Sequence, residues 1–124
     1  MELKRVVVTG LGAITPIGNS VPEFWENLVN GVSGAGPITH FDASKFKTQF
    51  ACEVKDFNAA DHFDRKKLRQ LDLYAQYALV AAEQAVADAK LDAEDINKDR
   101  VGVIIAAGIG GLHTFEEEAG SVKD

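Results

Sequence analysis

The chain has 124 residues, of which 13 are Lys or Arg and 19 are Asp or Glu, for a formal net charge of −6. Its 46% hydrophobic content is that of a globular protein rather than a disordered one, and no apolar run reaches the roughly 20 residues that span a bilayer. The acidic balance argues against general nucleic-acid binding, and the single cysteine, Cys52, excludes an internal disulfide.

Leu3–Val8 is a short valine-rich run that reads as a buried strand, of the kind found in parallel sheets. It leads directly from Met1-Glu2 with no apolar h-region and no small-residue cleavage site, so no secretory signal is expected, and the single cysteine fits a reducing, cytoplasmic setting. A glycine turn follows at Thr9-Gly10-Leu11-Gly12, and Pro16 and Gly18 prolong the irregular stretch. Ser20 then caps a helix. Glu23 stands three residues on, as a capping box requires, and Pro22 falls in the first turn. Val21, Phe24, Trp25 and Leu28 share a face, and Gly31 terminates the helix.

Residues 31–63 hold Gly34, Gly36, Pro37 and scattered aromatics without a sustained period, so they read as loops with short strands such as Phe50–Val54. Asp72 is placed to cap a long helix running to about Lys90. Leu71, Tyr74, Ala75, Ala78, Ala82, Ala85, Val86 and Ala89 form its main stripe, and Leu73, Tyr77, Leu79 and Val80 add apolar character on the other sides. Such a helix is expected to be buried, with its alanines admitting close neighbours. After a polar turn at Asp92–Asp95, Val101–Ala107 reads as a second buried strand. It breaks at Gly108-Ile109-Gly110-Gly111, and Leu112–Ala119 opens another helix. The order is α/β. Two strands are few for a complete parallel sheet, so a segment of a larger domain is expected.

The first glycine cluster fails the dinucleotide fingerprint. Thr15 stands at the third glycine position, Pro16 and Gly18 delay the helix, and no acidic strand end follows about 20 residues on. Its role is therefore close backbone packing. The second cluster lies after the second expected strand, at the edge where ligands of open α/β sheets gather, and it reads equally as a ligand approach or as a structural turn. Cys52 has no activating group in Phe50–Val54 and reads as a small buried residue. His40, His62 and His113 lack metal-ligand spacing and read as loop or surface residues. Arg65, Lys66, Lys67 and Arg69 form the sole basic cluster. They are either a solvated face or a docking patch for an acidic partner.

Taken together, Arg5-Val6-Val7-Val8-Thr9-Gly10-Leu11-Gly12, Thr15-Pro16-Ile17-Gly18-Asn19, Phe24-Trp25, Gly31-Val32-Ser33-Gly34, His40-Phe41-Asp42, Val54-Lys55-Asp56-Phe57 and Gly108-Ile109-Gly110-Gly111-Leu112 resemble the N-terminus of the β-ketoacyl-acyl carrier protein synthases. The spacing agrees best with the elongating synthase II branch. The resemblance runs over essentially all 124 residues and covers about the first third of the family's chain.

That resemblance implies the N-terminal part of a thiolase-like α-β-α-β-α fold, incomplete over residues 1–124, with an excursion over about 32–70 that carries the basic patch. It implies a homodimeric acyltransferase of fatty acid biosynthesis that condenses an acyl group with malonyl-acyl carrier protein and releases carbon dioxide. No metal or cofactor is implied, and neither nucleic acid nor membrane is an expected partner. The family's nucleophilic cysteine, two histidines and lysine fall C-terminal to Asp124, so no catalytic residue is expected in this chain and the chain alone is expected to be inactive. Its expected partners are acyl carrier protein, a second copy and the C-terminal remainder of the enzyme.

Ile109 matches the residue that contacts the growing acyl chain, with Gly108 and Gly110 beside it. Lys66 and Arg69 match carrier-docking positions, extended here by Arg65 and Lys67. Gln70 stands where the family often has another basic residue, a loss that Lys67 is placed to offset. The alternatives left open are a non-catalytic docking or dimerisation module and a chain-length-factor relative.

Overall fold

A computed structural model describes residues 3–122. The first helix, α1 (Val21–Val29), begins where the side chains demand it. The Ser20 hydroxyl accepts from the Glu23 N–H at 3.4 Å. The Glu23 carboxylate reaches back one residue further than a standard capping box, to the Asn19 N–H at 2.8 Å. The helix stops in a Schellman motif, in which Gly31 N–H donates to the Leu28 carbonyl and Val32 N–H to that of Asn27. Gly31 has φ +68°, a conformation an L side chain resists. Val21 and Phe24 are half-buried, but Trp25 and Leu28 of the expected apolar face are exposed.

The excursion contains a two-residue antiparallel ribbon, β1 (Gly36–Pro37) and β2 (Phe50–Ala51), with Gly36 opposite Ala51. A 3₁₀ turn (Ala59–Asp61) and a single-turn helix, α2 (Arg65–Leu68), lead to the long helix α3 (Leu73–Asp88). A second 3₁₀ turn (Lys98–Arg100) precedes the last helix, α4 (Leu112–Ser121).

Thr9–Gly12 lies against α3. A Cβ on Gly10 would strike the Ala85 carbonyl oxygen and the backbone nitrogen of Ala89, and one on Gly12 would strike the Ala81 carbonyl. Ala81 and Ala85 of α3 and Ala89 at its C-cap stand four apart on one stripe, so glycine meets alanine at backbone distance. Two α3 side chains then satisfy the turn's donors. Leu11 N–H donates to Asp88 Oδ2 at 2.9 Å, and Ala13 N–H donates to Gln84 Oε1 at 3.0 Å. The Gln84 amide donates onward to the Asn19 carbonyl at 2.8 Å, so one residue ties the turn to the start of α1. The expected close-packing role of this cluster is met.

Three sequence expectations are corrected. Leu3–Val8 and Val101–Ala107 form no strands; both run as irregular chain, and Val6 is 90% and Ile104 97% exposed. The sheet expected to be parallel is replaced by the antiparallel β1–β2 ribbon, the one sheet among the described residues. A strand is stabilised by neighbours on both edges and by cover on both faces, and among the described residues neither run has them. The long helix is likewise buried only at Gln76 and Val80 rather than all round. Phe63, Ala43 and Val80 are the buried apolar residues among those described, so the core is small and lies where α3 meets the excursion and the glycine turn.

Candidate functional site

Arg65, Lys66 and Lys67 are carried on α2, and Arg69 caps its C-terminal end. The helix forms because Asp64 caps it, its carboxylate accepting from the Lys67 N–H at 2.8 Å. One turn of helix places residues three and four apart on the same side. Arg65, Lys66 and Arg69 accordingly line one groove of about 260 Å³. None of these three cations is ion-paired among the described residues, while the nearby Asp61 carboxylate accepts from the Asn58 side-chain amide at 2.8 Å. Three unpaired cations on one face are a ready anchor for carboxylates or a phosphate.

Lys67 does not join them. Its ammonium lies 5.2 Å from the centroid of the Phe63 ring, a cation–π contact. Phe63 is only 6% exposed and belongs to an aromatic chain that descends to α3. The His62 ring stands 6.3 Å from Phe63 and stacks on Phe57 at 5.6 Å, and Phe57 meets Tyr77 of α3 edge-on at 4.8 Å. Burial, with a smaller contribution from the Glu53 charge, raises the Tyr77 hydroxyl pKa above its ordinary value, so the phenol stays neutral in this packing.

The second glycine cluster joins two helix starts. Gly111 abuts the Asp72 carboxylate, and the Thr114 hydroxyl of α4 donates to the same carboxylate. Asp72 was expected to cap α3 with its side chain; it makes no such hydrogen bond, and its Oδ1 accepts from the Thr114 hydroxyl instead. Gly110 and Gly111 line a groove of about 420 Å³ with Tyr74, Asp72, His40 and His113. Gly108 and Ile109 lie outside that lining, and Ile109 is 80% exposed. The two candidate sites share no lining residue.

Glu53 organises the loop that supplies His40. Its carboxylate accepts from the Thr39 N–H at 3.0 Å, the Thr39 hydroxyl at 2.7 Å and the His40 N–H at 3.4 Å. The Thr39 hydroxyl is the main cause of a Glu53 pKa below its ordinary 4.5, the Thr39 and His40 amides adding to it. A depressed carboxylate pKa stabilises the fold above the unfolded value, and that contribution fades as pH falls through the folded one. Glu53→Gln is therefore expected to lower stability at neutral pH and to flatten the acid limb below about pH 4.5. Thermal unfolding from pH 7 to 3 checks this; parallel curves for wild type and variant would remove Glu53 from the account.

Cys52, expected buried, is exposed in the loop after β2. His40, His62 and His113 are at the surface, as expected. The described residues hold no cluster of three or more His, Cys, Asp or Glu able to take a metal ion, and none of their helices is long and apolar enough to cross a membrane. Sequence reasoning missed Gln84, Asp88, Glu53 and the aromatic chain. The signal for one contact was present, since Phe63 and Lys67 stand four apart.

A family model described as the β-ketoacyl synthase N-terminal domain matches residues 3–124. The chain is 50% identical over 118 residues to the 3-oxoacyl-[acyl-carrier-protein] synthase 2 of Synechocystis sp., covering 95% of this chain and 28% of that protein. It is 51% identical over 113 residues to the protein of the same name from Staphylococcus aureus, covering 91% and 27%. Among solved structures, the ishigamide ketosynthase/chain length factor superposes with a TM-score of 0.73 at 32% identity, over 95% of this chain and 30% of that one. The chain thus spans under a third of the length of these relatives.

Proposed function

The chain belongs to the β-ketoacyl synthase family through its N-terminal domain, and from that premise we propose that it serves as the N-terminal segment of an elongating synthase acting in fatty acid biosynthesis. The full-length enzyme transfers an acyl group from carrier protein to a cysteine, with release of the carrier thiol. Loss of carbon dioxide from malonyl-carrier protein gives an enolate, whose carbon attacks the acyl thioester and frees the cysteine thiolate. The observation that carries this reading is 50% identity over 118 residues to a 3-oxoacyl-[acyl-carrier-protein] synthase 2.

In this reading residues 1–124 contribute recognition rather than bond-making. The excursion over about 32–70 presents Arg65, Lys66 and Arg69 to an acidic carrier protein. Ile109, flanked by Gly108 and Gly110, contacts the acyl chain once the rest of the enzyme and a second copy cover the exposed 101–111 stretch. That cover also answers the exposure of Val6 and Ile104.

Supplied with acyl- and malonyl-carrier protein, the full-length enzyme is expected to yield a β-ketoacyl product two carbons longer, with one carbon dioxide released; absence of product overturns the reading. Ile109→Phe in that enzyme fills the acyl groove and is expected to disfavour the longest primers by about tenfold or more, while short primers react as before. Product chain lengths read by mass spectrometry check this, and an unchanged profile removes Ile109 from the groove.

A second reading is a chain-length-factor-like subunit without condensation of its own, favoured by the likeness to the ishigamide ketosynthase/chain length factor. It predicts no product from this protein alone and product once a catalytic ketosynthase is added.

A further inference from the structure

The basic cluster reads in sequence as four equivalent cations, but the structure separates them. Arg65, Lys66 and Arg69 share one groove, whereas the Lys67 ammonium sits over the Phe63 ring. Lys67 belongs to the same single turn of helix and would otherwise be free to reach a partner. Phe63 is buried, so the ring is a fixed platform rather than a mobile one. Behind it, His62 and Phe57 continue the aromatic chain to Tyr77 on the longest helix. A helix of four residues has little stability of its own. Its orientation must come from what it is attached to: the Asp64 cap, the half-buried Leu68, the preceding 3₁₀ turn and the Lys67–Phe63 contact.

We propose that Lys67 is a positioning residue for the docking patch, pinned on Phe63 so that α2 holds Arg65, Lys66 and Arg69 in a fixed three-cation face for an acidic carrier protein. The proposal rests on the docking reading above and assigns each cation a different task within it. Three cations meet the partner's anions. The fourth meets an aromatic ring, and its loss costs order rather than an ionic contact. The absence of a basic side chain at Gln70 is then offset by Arg65, not by Lys67.

The test uses the full-length synthase and measures carrier-protein affinity across a salt series. Lys67→Met keeps an unbranched stem on the ring and removes the charge. It is expected to weaken binding by about two- to five-fold, the scale of an exposed cation–π contact, while leaving the slope of log affinity against log salt at the wild-type value. Arg65→Met is expected to reduce that slope, because an ionic contact is gone. Lys67→Arg, which preserves the cation over the ring, is expected to restore wild-type affinity. Phe63→Leu should reproduce the loss seen in Lys67→Met, and the double variant should lose no more than either single one. Should Phe63→Leu fail to fold, the two Lys67 variants decide alone.

If Lys67→Met lowers the salt slope as much as Arg65→Met does, Lys67 is an ordinary contact and the proposal is overturned. If Lys67→Met leaves affinity unchanged, the pinning has no role and the proposal is equally overturned. Failure of the docking reading itself shows differently: exchanging Lys66 and Arg69 for glutamate would then leave affinity and slope unaltered.

Discussion

On the proposed docking reading, replacing Lys66 and Arg69 together by glutamate is expected to lower the affinity of the full-length protein for an acidic acyl carrier protein by about 30-fold or more at low salt. Each exchange removes an attraction and installs a repulsion, and charge pairs across an interface reach energies that convert to factors of this size. Both side chains line the same groove and neither is ion-paired among the described residues, so reversal breaks no ion pair within this segment. Turnover with a small thioester substrate that lacks the carrier should be unchanged. Raising the salt from about 0.05 to 0.5 M should narrow the gap between variant and wild type, because screening weakens exposed charges over about 10 Å or less. Equal affinities at low salt would detach this face from carrier recognition.

Gly12→Ala is expected to cost the fold about 3 kcal/mol or more, the upper range for overpacking a site with no room to relax. The added Cβ would collide with the Ala81 carbonyl and lie 2.9 Å from the Ala85 nitrogen, both of them backbone atoms inside a helix. Moving them would also disturb Gln84 and Asp88, which hold the donors of Ala13 and Leu11. Gly36→Ala is the matched control. Nothing lies within 4 Å of its added methyl, so it is expected to be neutral or to stabilise by about 0.4–1 kcal/mol through the unfolded chain. Denaturation of the two variants side by side checks the contrast, and similar midpoints would refute the glycine-on-alanine packing.

What the sequence disclosed was local chemistry. Ser20, Glu23 and Gly31 bracketed α1 because a capping oxygen and a left-handed glycine act within one turn of where they stand. The long helix and the packing role of the first glycine cluster were legible for the same reason, as were the basic cluster and the surface histidines.

The misses share a different cause. Leu3–Val8 and Val101–Ala107 have strand composition, but a strand is completed by neighbours that composition does not supply. Asp72 was a correct cap residue by type, and a hydroxyl 42 residues away claimed its carboxylate. Lys67 counted as one of four like charges until a ring four residues earlier separated it. Gln84 and Asp88 looked like the polar side of a helix, and their task depends on a turn more than 70 residues away. In each case the deciding partner is distant in sequence, or its role depends on which way a short helix faces.

Family membership and the thiolase-like fold rest on residues 3–124 as a whole, since no single motif carries them. The part proposed for this segment is recognition, and amide hydrogen exchange on the full-length protein, with and without acyl carrier protein, tests it most directly. Slowed exchange is expected across Asp64–Gln70 on adding the carrier, with little change at the glycine turn packed on α3. Protection confined to other parts of the enzyme, with Asp64–Gln70 unaffected at saturating carrier, would contradict it.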